Sequence, residues 1–106
     1  YWLTTITLNE NSKVKPLDII LALEKENIES RPIWKPMHIQ PYYKEYDFYS
    51  HNDEEISVSE DIFNRGVCLP SDTKMSDHDM NRVIRIIKNL FQKEMNEIDR
   101  KKEVLV

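Results

Sequence analysis

The apolar positions of the chain repeat with different periods, and each period predicts a kind of secondary structure. Trp2 to Leu8 (WLTTITL) is rich in β-branched and aromatic residues and alternates as a β-strand does. Ile28 to Ile33 predicts a short extended segment. Val67 to Leu69, closed by Pro70, predicts a small apolar strand.

Three segments between and after these strands have the helical period. Pro16 suits the first position of a helix and Asp18 its first turn, and Asn27 is a stop signal. The stripe at i, i+3 and i+4 in this first helix consists of Leu17, Ile20 and Leu21. Ser57 followed by Glu60 predicts a capping box that opens a short second helix, which Gly66 would end as a C-cap.

The strongest periodic signal comes last in the chain. Ser76 and Asp79 form a second capping box, and Lys and Arg residues at 100–102 complement the dipole of a long helix. Its apolar stripe consists of Met80, Val83, Ile84, Ile87, Leu90, Phe91, Met95 and Ile98. The order β-α-β-α-β-α predicts an α+β fold with about three helices packed on a small sheet, in one domain over residues 1–106.

Residues 29–43 (ESRPIWKPMHIQPYY), the proline segment, interrupt this pattern because they hold three of the five prolines. Proline at this spacing excludes a helix and a central strand. The segment presents Arg31, Trp34, Lys35 and His38 on a stiff backbone, and residues 42–55 follow as a long polar loop. Two interpretations stay open: the side chains bind an anionic, partly aromatic ligand such as a nucleotide sugar, or Trp34 and Met37 are packing anchors beside solvated cations.

Composition narrows the class of protein. The net charge of −4 disfavours nucleic-acid binding, and the apolar runs are too short to span a membrane. The single cysteine, Cys68, excludes an internal disulfide and fits the cytoplasm, and the single glycine, Gly66, excludes a glycine-rich phosphate loop. There is no signal-peptide pattern, and the opening at Tyr1 within a strand-like run suggests a piece of a longer chain.

Candidates for chemistry within the chain are weak. His38, His51, His78 and Cys68 show no metal-ligand spacing, so no metal site is expected. A thiol in an apolar strand is typically buried and inert, and no serine has a nucleophile-elbow motif. The acidic run 53–55 (Asp53, Glu54 and Glu55) is expected to be a solvated part of the loop rather than an acid–base pair.

Two stretches resemble the C-terminal part of the DegT/DnrJ/EryC1/StrS family, which are pyridoxal-phosphate-dependent aminotransferases acting on nucleotide-linked keto sugars. They are SRPIWKPMHIQP and VSEDIFNRGVCLPSDTKMSDHDMNRVIRIIKNLF, and WLTTITL resembles the strand that opens the family's small domain. The resemblance implies the small domain of a fold type I aminotransferase, with a few antiparallel strands and packed helices. It is weakest over residues 44–55 and after Lys93.

The resemblance also implies a place for the proline segment, beside the active site of a homodimer. The substrate-side residues carried over are Arg31, Trp34, Lys35, His38 and Gln40, with Met37 a weaker candidate. In the longer enzyme, a donor such as glutamate would supply an amino group to the sugar through pyridoxal phosphate. The family's catalytic lysine and cofactor ligands belong to a preceding, larger domain, so this chain alone is expected to hold no cofactor and no catalytic residue.

Two other classes of function stay open. The first is a free-standing module that binds a nucleotide or sugar phosphate without chemistry. The second is an interaction domain whose long helix pairs with a partner. The second competes with the simpler interpretation that the stripe of the long helix covers its own core.

Overall fold

The computed structural model describes residues 2–51 and 55–105. In chain order the regular elements are strand β1 (Thr4–Thr7), helix α1 (Pro16–Glu24), strand β2 (Arg31–Pro32), helix α2 (Val58–Arg65), strand β3 (Gly66–Leu69) and helix α3 (Asp77–Val104). Two single-turn 3₁₀ helices, Met37–Ile39 and Pro41–Tyr43, lie in the proline segment. The predicted order of strands and helices is confirmed. Asp53 and Glu54 of the predicted acidic run lie outside the described residues.

The three strands form one antiparallel sheet in the order β1-β3-β2. β3 is the central strand: Cys68 lies opposite Thr5 of β1 on one side and opposite Arg31 of β2 on the other. Proline has no backbone N–H to donate to a strand ladder. Because β2 is an edge strand, Pro32 can occupy it without breaking a ladder to a second neighbouring strand. The small antiparallel sheet with packed helices is the fold that the sequence predicted.

The core forms where α1 and α3 cover one face of the sheet. Its buried residues are Leu8, Val14, Ile19, Leu23, Val67 and Val83. Ile6 and Leu69 reach the same cluster from the sheet, because alternate residues of a strand share one face. Cys68 is buried, as predicted. It stands between Val67 and Leu69 in the strand, so it lies on the other face of the sheet.

The first helix begins at Pro16 as predicted, ends at Glu24, and turns a different face to the core. Ile19 and Leu23 are its buried residues and Ile20 is partly buried, whereas Leu17 and Leu21, predicted as core residues, are exposed. The predicted stripe was therefore wrong. The predicted stop was right: Asn27 adopts a left-handed conformation, and the Ile28 amide bonds to the Leu23 carbonyl in a Schellman motif.

The long helix α3 begins at the predicted capping box, in which Ser76 Oγ accepts from the Asp79 amide and the Ser76 amide donates to Asp79 Oδ2. Val83 is buried, and Ile86, Ile87, Leu90 and Phe91 pack against the core. This supports the interpretation that the stripe covers the chain's own core. Met80, Ile84 and Met95, predicted as part of the stripe, are exposed, and Ile86 was missed.

Helix α2 begins at Ser57, whose Oγ accepts from the Glu60 amide, as predicted. Gly66 is the C-cap of this helix, as predicted, although its backbone is extended (φ −101°) rather than left-handed and it is also the first residue of β3. The reason for glycine is space: a Cβ would lie 2.6 Å from the Ile62 carbonyl oxygen and closer still to Ile33 Cγ1.

Candidate functional site

The proline segment is paired with the sheet near its start and closed by local hydrogen bonds further along. Arg31 and Pro32 pair with β3, and the turn after Pro36 is closed by a bond from the Gln40 amide to the Met37 carbonyl, 3.1 Å. The Gln40 side chain donates from Nε2 to the Lys35 carbonyl at 2.9 Å. Residues 35–40 are therefore closed on themselves, and the predicted irregular segment contains local helical turns.

Trp34 is exposed over 61% of its surface and meets Trp2, whose ring centroid lies 5.4 Å away at an interplanar angle of 40°. Met37 is exposed as well. Neither is a buried packing anchor, so the interpretation of this segment as a purely structural element loses its main support. Trp34 instead packs on another exposed indole, and the two rings form a small aromatic surface.

That surface is part of an open groove of about 860 Å³ beside the edge strand β2. Apolar side chains dominate the lining, among them Leu3, Pro32, Leu69, Pro70, Met75 and Val83. Arg31 and Trp34 are the two predicted site residues that line the groove. Lys35 is exposed elsewhere on the segment, and His38 and Gln40 are not part of the lining.

The charged groups at the groove have protein partners. Arg31 Nη2 lies 2.6 Å from Glu29 Oε1, and Arg82 pairs with Glu26 at 3.2 Å. Asp79 accepts from the Ser76 hydroxyl at 2.7 Å, and this bond, aided by the Ser76 amide, lowers the pKa of the Asp79 carboxyl. An anion that binds here would compete with Glu29 for Arg31, whereas a flat ring would meet two exposed indoles.

His38 has a different environment from Arg31 and Trp34. Its side chain is 15% exposed, and its ring stacks on Phe48 with centroids 3.7 Å apart and 10° between the planes. Nε2 lies 3.3 Å from Ser57 Oγ and 3.8 Å from Glu60 Oε2. The structure thus divides the predicted residues into an exposed set, of which Arg31 and Trp34 line the groove, and a less exposed pair, His38 and Gln40.

Sequence reasoning missed Trp2 as a site residue, because it stands at the end of a strand-like run and was counted with the strand. The sequence did contain a signal for it. Trp2 precedes Thr4, the first residue of β1, so the sheet itself does not require an indole at this position. Arg82 and Asp72, which also line the groove, had no signal in the sequence, since both were ordinary polar positions near the start of α3.

The groove does not have the side chains that pyridoxal phosphate, the cofactor implied by the sequence resemblance, requires. Pyridoxal phosphate is held by a lysine amine, with donors for its phosphate and an acid for its ring nitrogen. The groove lining contains no lysine, and its arginines are already paired with glutamates. These residues do not fit the cofactor.

Two further properties concern the part of the chain that the structure describes. Within residues 2–51 and 55–105 no three His, Cys, Asp or Glu side chains come together in a way that could hold a metal ion. None of the helices described there is both long and apolar enough to cross a bilayer.

Comparison with known proteins gives consistent matches. Residues 1–88 match the model of the DegT/DnrJ/EryC1/StrS aminotransferase family. The chain is 49% identical over 90 residues to a Bacillus subtilis protein named "Putative pyridoxal phosphate-dependent aminotransferase EpsN", covering 85% of this chain and 22% of that protein. It is 33% identical over 93 residues to a GDP-perosamine synthase of Vibrio cholerae, covering 86% and 24% respectively.

A solved structure agrees with these sequence matches. The crystal structure of a DegT DnrJ EryC1 StrS aminotransferase from Brucella abortus superposes with a TM-score of 0.67 at 25% identity, covering 83% of this chain and 22% of that one. The chain therefore spans about a fifth to a quarter of the length of the relatives it matches.

Proposed function

The chain belongs to the DegT/DnrJ/EryC1/StrS aminotransferase family, and from this premise we propose that it is the C-terminal small domain of a longer sugar aminotransferase. The parent enzyme would transfer an amino group from a donor such as glutamate to a nucleotide-linked keto sugar. Pyridoxal phosphate would supply the electron sink for that transfer and would be held by residues of the larger domain. The parent would act as a cytoplasmic homodimer, and this segment alone would be inactive.

Within that enzyme we assign this segment to the wall of the substrate site. The observation that carries the assignment is the exposure of Trp34 and Arg31 on a backbone fixed by the β2–β3 ladder. A backbone that is already fixed loses little further entropy when a ligand binds to the side chains it carries. Trp34 would contact a flat face of the substrate, and Arg31 and Lys35 would meet its charged end.

His38 and Gln40 belong to the same wall in a different way. Both already have partners within the chain, so their contribution to substrate binding would be to keep Trp34 and Lys35 in place. A direct contact of the His38 ring with substrate would need the Ser57 bond to be exchanged for one to the ligand.

The experiment is to sequence the coding region upstream of Tyr1 and to express the complete protein. An open frame of the relatives' length, with amination of a nucleotide-linked keto sugar that requires an amino donor, would support the proposal. Trp34→Ala should then weaken sugar turnover, and Met95→Ala, an exposed apolar change on the far part of α3, should not. A start codon at Tyr1 would overturn the proposal.

One observation favours a second function, a stand-alone module that binds a nucleotide or sugar phosphate. Both tryptophans of the chain line the groove, so a ligand has an aromatic surface to bind without any other domain. The isolated chain would then change its tryptophan fluorescence on titration with such a ligand, and Trp34→Ala would abolish binding. Unchanged fluorescence at saturating concentrations would exclude this function.

A further inference from the structure

His38 is unusually covered for a residue of an exposed segment. Met37 before it is mostly exposed, yet the His38 side chain is 15% exposed. Phe48 covers one face of the ring, and Ser57 and Glu60 at the start of α2 face its Nε2 edge. His38 therefore joins three parts of the chain: the proline segment, the loop that carries Phe48, and the N-terminus of α2.

The hydroxyl of Ser57 lies within hydrogen-bond distance of His38 Nε2 and of two further groups. Ser57 is 8% exposed, accepts from the Glu60 amide at 3.3 Å and lies 3.1 Å from Ser59 Oγ. A hydroxyl has one proton and two lone pairs. Ser57 can donate to His38 Nε2 and accept from the Glu60 amide and the Ser59 hydroxyl, or it can accept from a protonated Nε2 and from the Glu60 amide and donate to Ser59. Either arrangement satisfies the hydroxyl, so the His38–Ser57 hydrogen bond forms with both neutral tautomers of the ring.

We propose that His38 is a positioning residue that ties the proline segment to the N-terminus of α2 through Ser57. The other tie is the pairing of Arg31 and Pro32 with β3. Trp34 and Lys35 lie between the two ties, so both the edge strand and the His38–Ser57 bond set where these side chains point. The proposal rests on the proposed function only for its consequence, the presentation of Trp34 and Lys35 to substrate.

The backbone transmits this tie over the short distance to Trp34. Pro36 has φ fixed near −55°, and Gln40 closes residues 35–40 through its bonds to the Lys35 and Met37 carbonyls. A segment closed in this way moves as a unit. Release of His38 would therefore loosen residues 34–36 rather than His38 alone.

The first test uses the chain without ligand. Trp2→Phe leaves Trp34 as the single tryptophan, and acrylamide quenching then reports its accessibility and motion. In this background His38→Ala should raise the quenching constant of Trp34 about twofold. His38→Phe keeps a ring against Phe48 but loses the nitrogen, and should give an intermediate increase. The matched control is His78→Ala, since His78 is exposed at the start of α3, and it should change nothing.

The second test uses the unmodified chain, so it can be carried out even if His38→Ala does not fold. Nitrogen-15 shifts of the imidazoles report whether a ring nitrogen is hydrogen-bonded within the protein. We expect His38 Nε2 to show the shift of a nitrogen that is hydrogen-bonded to Ser57, in either direction. A His38 Nε2 shift equal to that of a solvated imidazole overturns the proposal, and so does unchanged Trp34 quenching in a folded His38→Ala chain.

In the complete enzyme, the tie predicts that His38→Ala raises the KM for the sugar several-fold and leaves the absorbance of bound cofactor unchanged. Loss of the cofactor would overturn this role. The two proposals fail separately: an absent aminotransferase activity overturns the proposed function, whereas the quenching and nitrogen-15 measurements test the tie without substrate or cofactor.

Discussion

The indole of Trp34 packs against the indole of Trp2, with ring centroids 5.4 Å apart and planes inclined by 40°. The two residues come from segments far apart in sequence, one before β1 and one after β2, and the central strand β3 separates those strands. The contact therefore fixes Trp34 against the opposite edge of the sheet. It also gives the groove its aromatic surface.

A double-mutant cycle tests this contact. Trp2→Ala and Trp34→Ala should each destabilise the chain, and the double variant should lose less than the sum of the two, because the second truncation removes no remaining ring contact. Aromatic pairs contribute about 0.5–1.5 kcal/mol beyond area burial, and exposure of both rings favours the lower end. Urea unfolding followed by circular dichroism measures the coupling. Additivity within about 0.3 kcal/mol would contradict the contact.

A matched pair of substitutions tests which face of α1 lies in the core. Leu23 is fully buried and Leu17 is 62% exposed, although both are leucines of the same helix. Leu23→Ala should cost about 2–5 kcal/mol of unfolding free energy because it leaves a cavity. Leu17→Ala should cost about 0.5 kcal/mol or less. Since small domains have about 5–15 kcal/mol in total, the Leu23 variant should melt far lower. Equal losses would contradict the assignment.

The same helix shows where sequence reasoning reaches its limit. Leu17, Ile19, Ile20, Leu21 and Leu23 are all apolar, so a stripe can be drawn on either side of the helix. Only the position of the sheet and of α3 selects Ile19 and Leu23. In α3 the apolar residues are interrupted by charged ones, and the core positions from Val83 to Phe91 were largely predictable.

For the candidate site, the chemistry of the side chains was predictable and their partners were not. The spacing of the prolines predicted a stiff segment that carries Arg31 and Trp34. Both side chains line the groove. The pairing of His38 with Ser57 joins residues 19 positions apart across a loop, and no local pattern signals it. The Trp2–Trp34 contact depends on the strand order of the sheet, which periodicity does not give.

Gly66→Ala tests the close approach between β3 and its neighbours. A Cβ there would lie 2.6 Å from the Ile62 carbonyl oxygen, a backbone atom that cannot move aside without shifting the end of α2. Overpacking of this kind costs about 1–3 kcal/mol. The backbone conformation of Gly66 is open to alanine, so space alone is tested. The melting temperature of Gly66→Ala is compared with that of Thr73→Ala, a substitution in an exposed loop that should be neutral. An unchanged melting temperature for Gly66→Ala would refute the clash.

Acid unfolding tests the capping box of α3. The bonds from Ser76 lower the pKa of Asp79 from its ordinary value of 3.8, so folding favours the ionised carboxylate. A depressed pKa in the folded state contributes stability that is fully present above the unfolded value and is lost as pH falls through the folded value. The melting temperature should therefore fall as pH drops below about 5, and Asp79→Asn should make that fall shallower.

Two features sharpen the acid experiment. Asp61, whose pKa is lowered by its hydrogen bonds with Arg65, contributes in the same direction, so part of the fall should persist in Asp79→Asn. Asp77→Asn removes a neighbouring first-turn carboxylate that is not part of the capping box and should keep the full pH dependence. If Asp77→Asn and Asp79→Asn flatten the curve equally, the effect belongs to the charge of the first turn rather than to the bonds from Ser76, because only Asp79 makes those bonds within the described capping box.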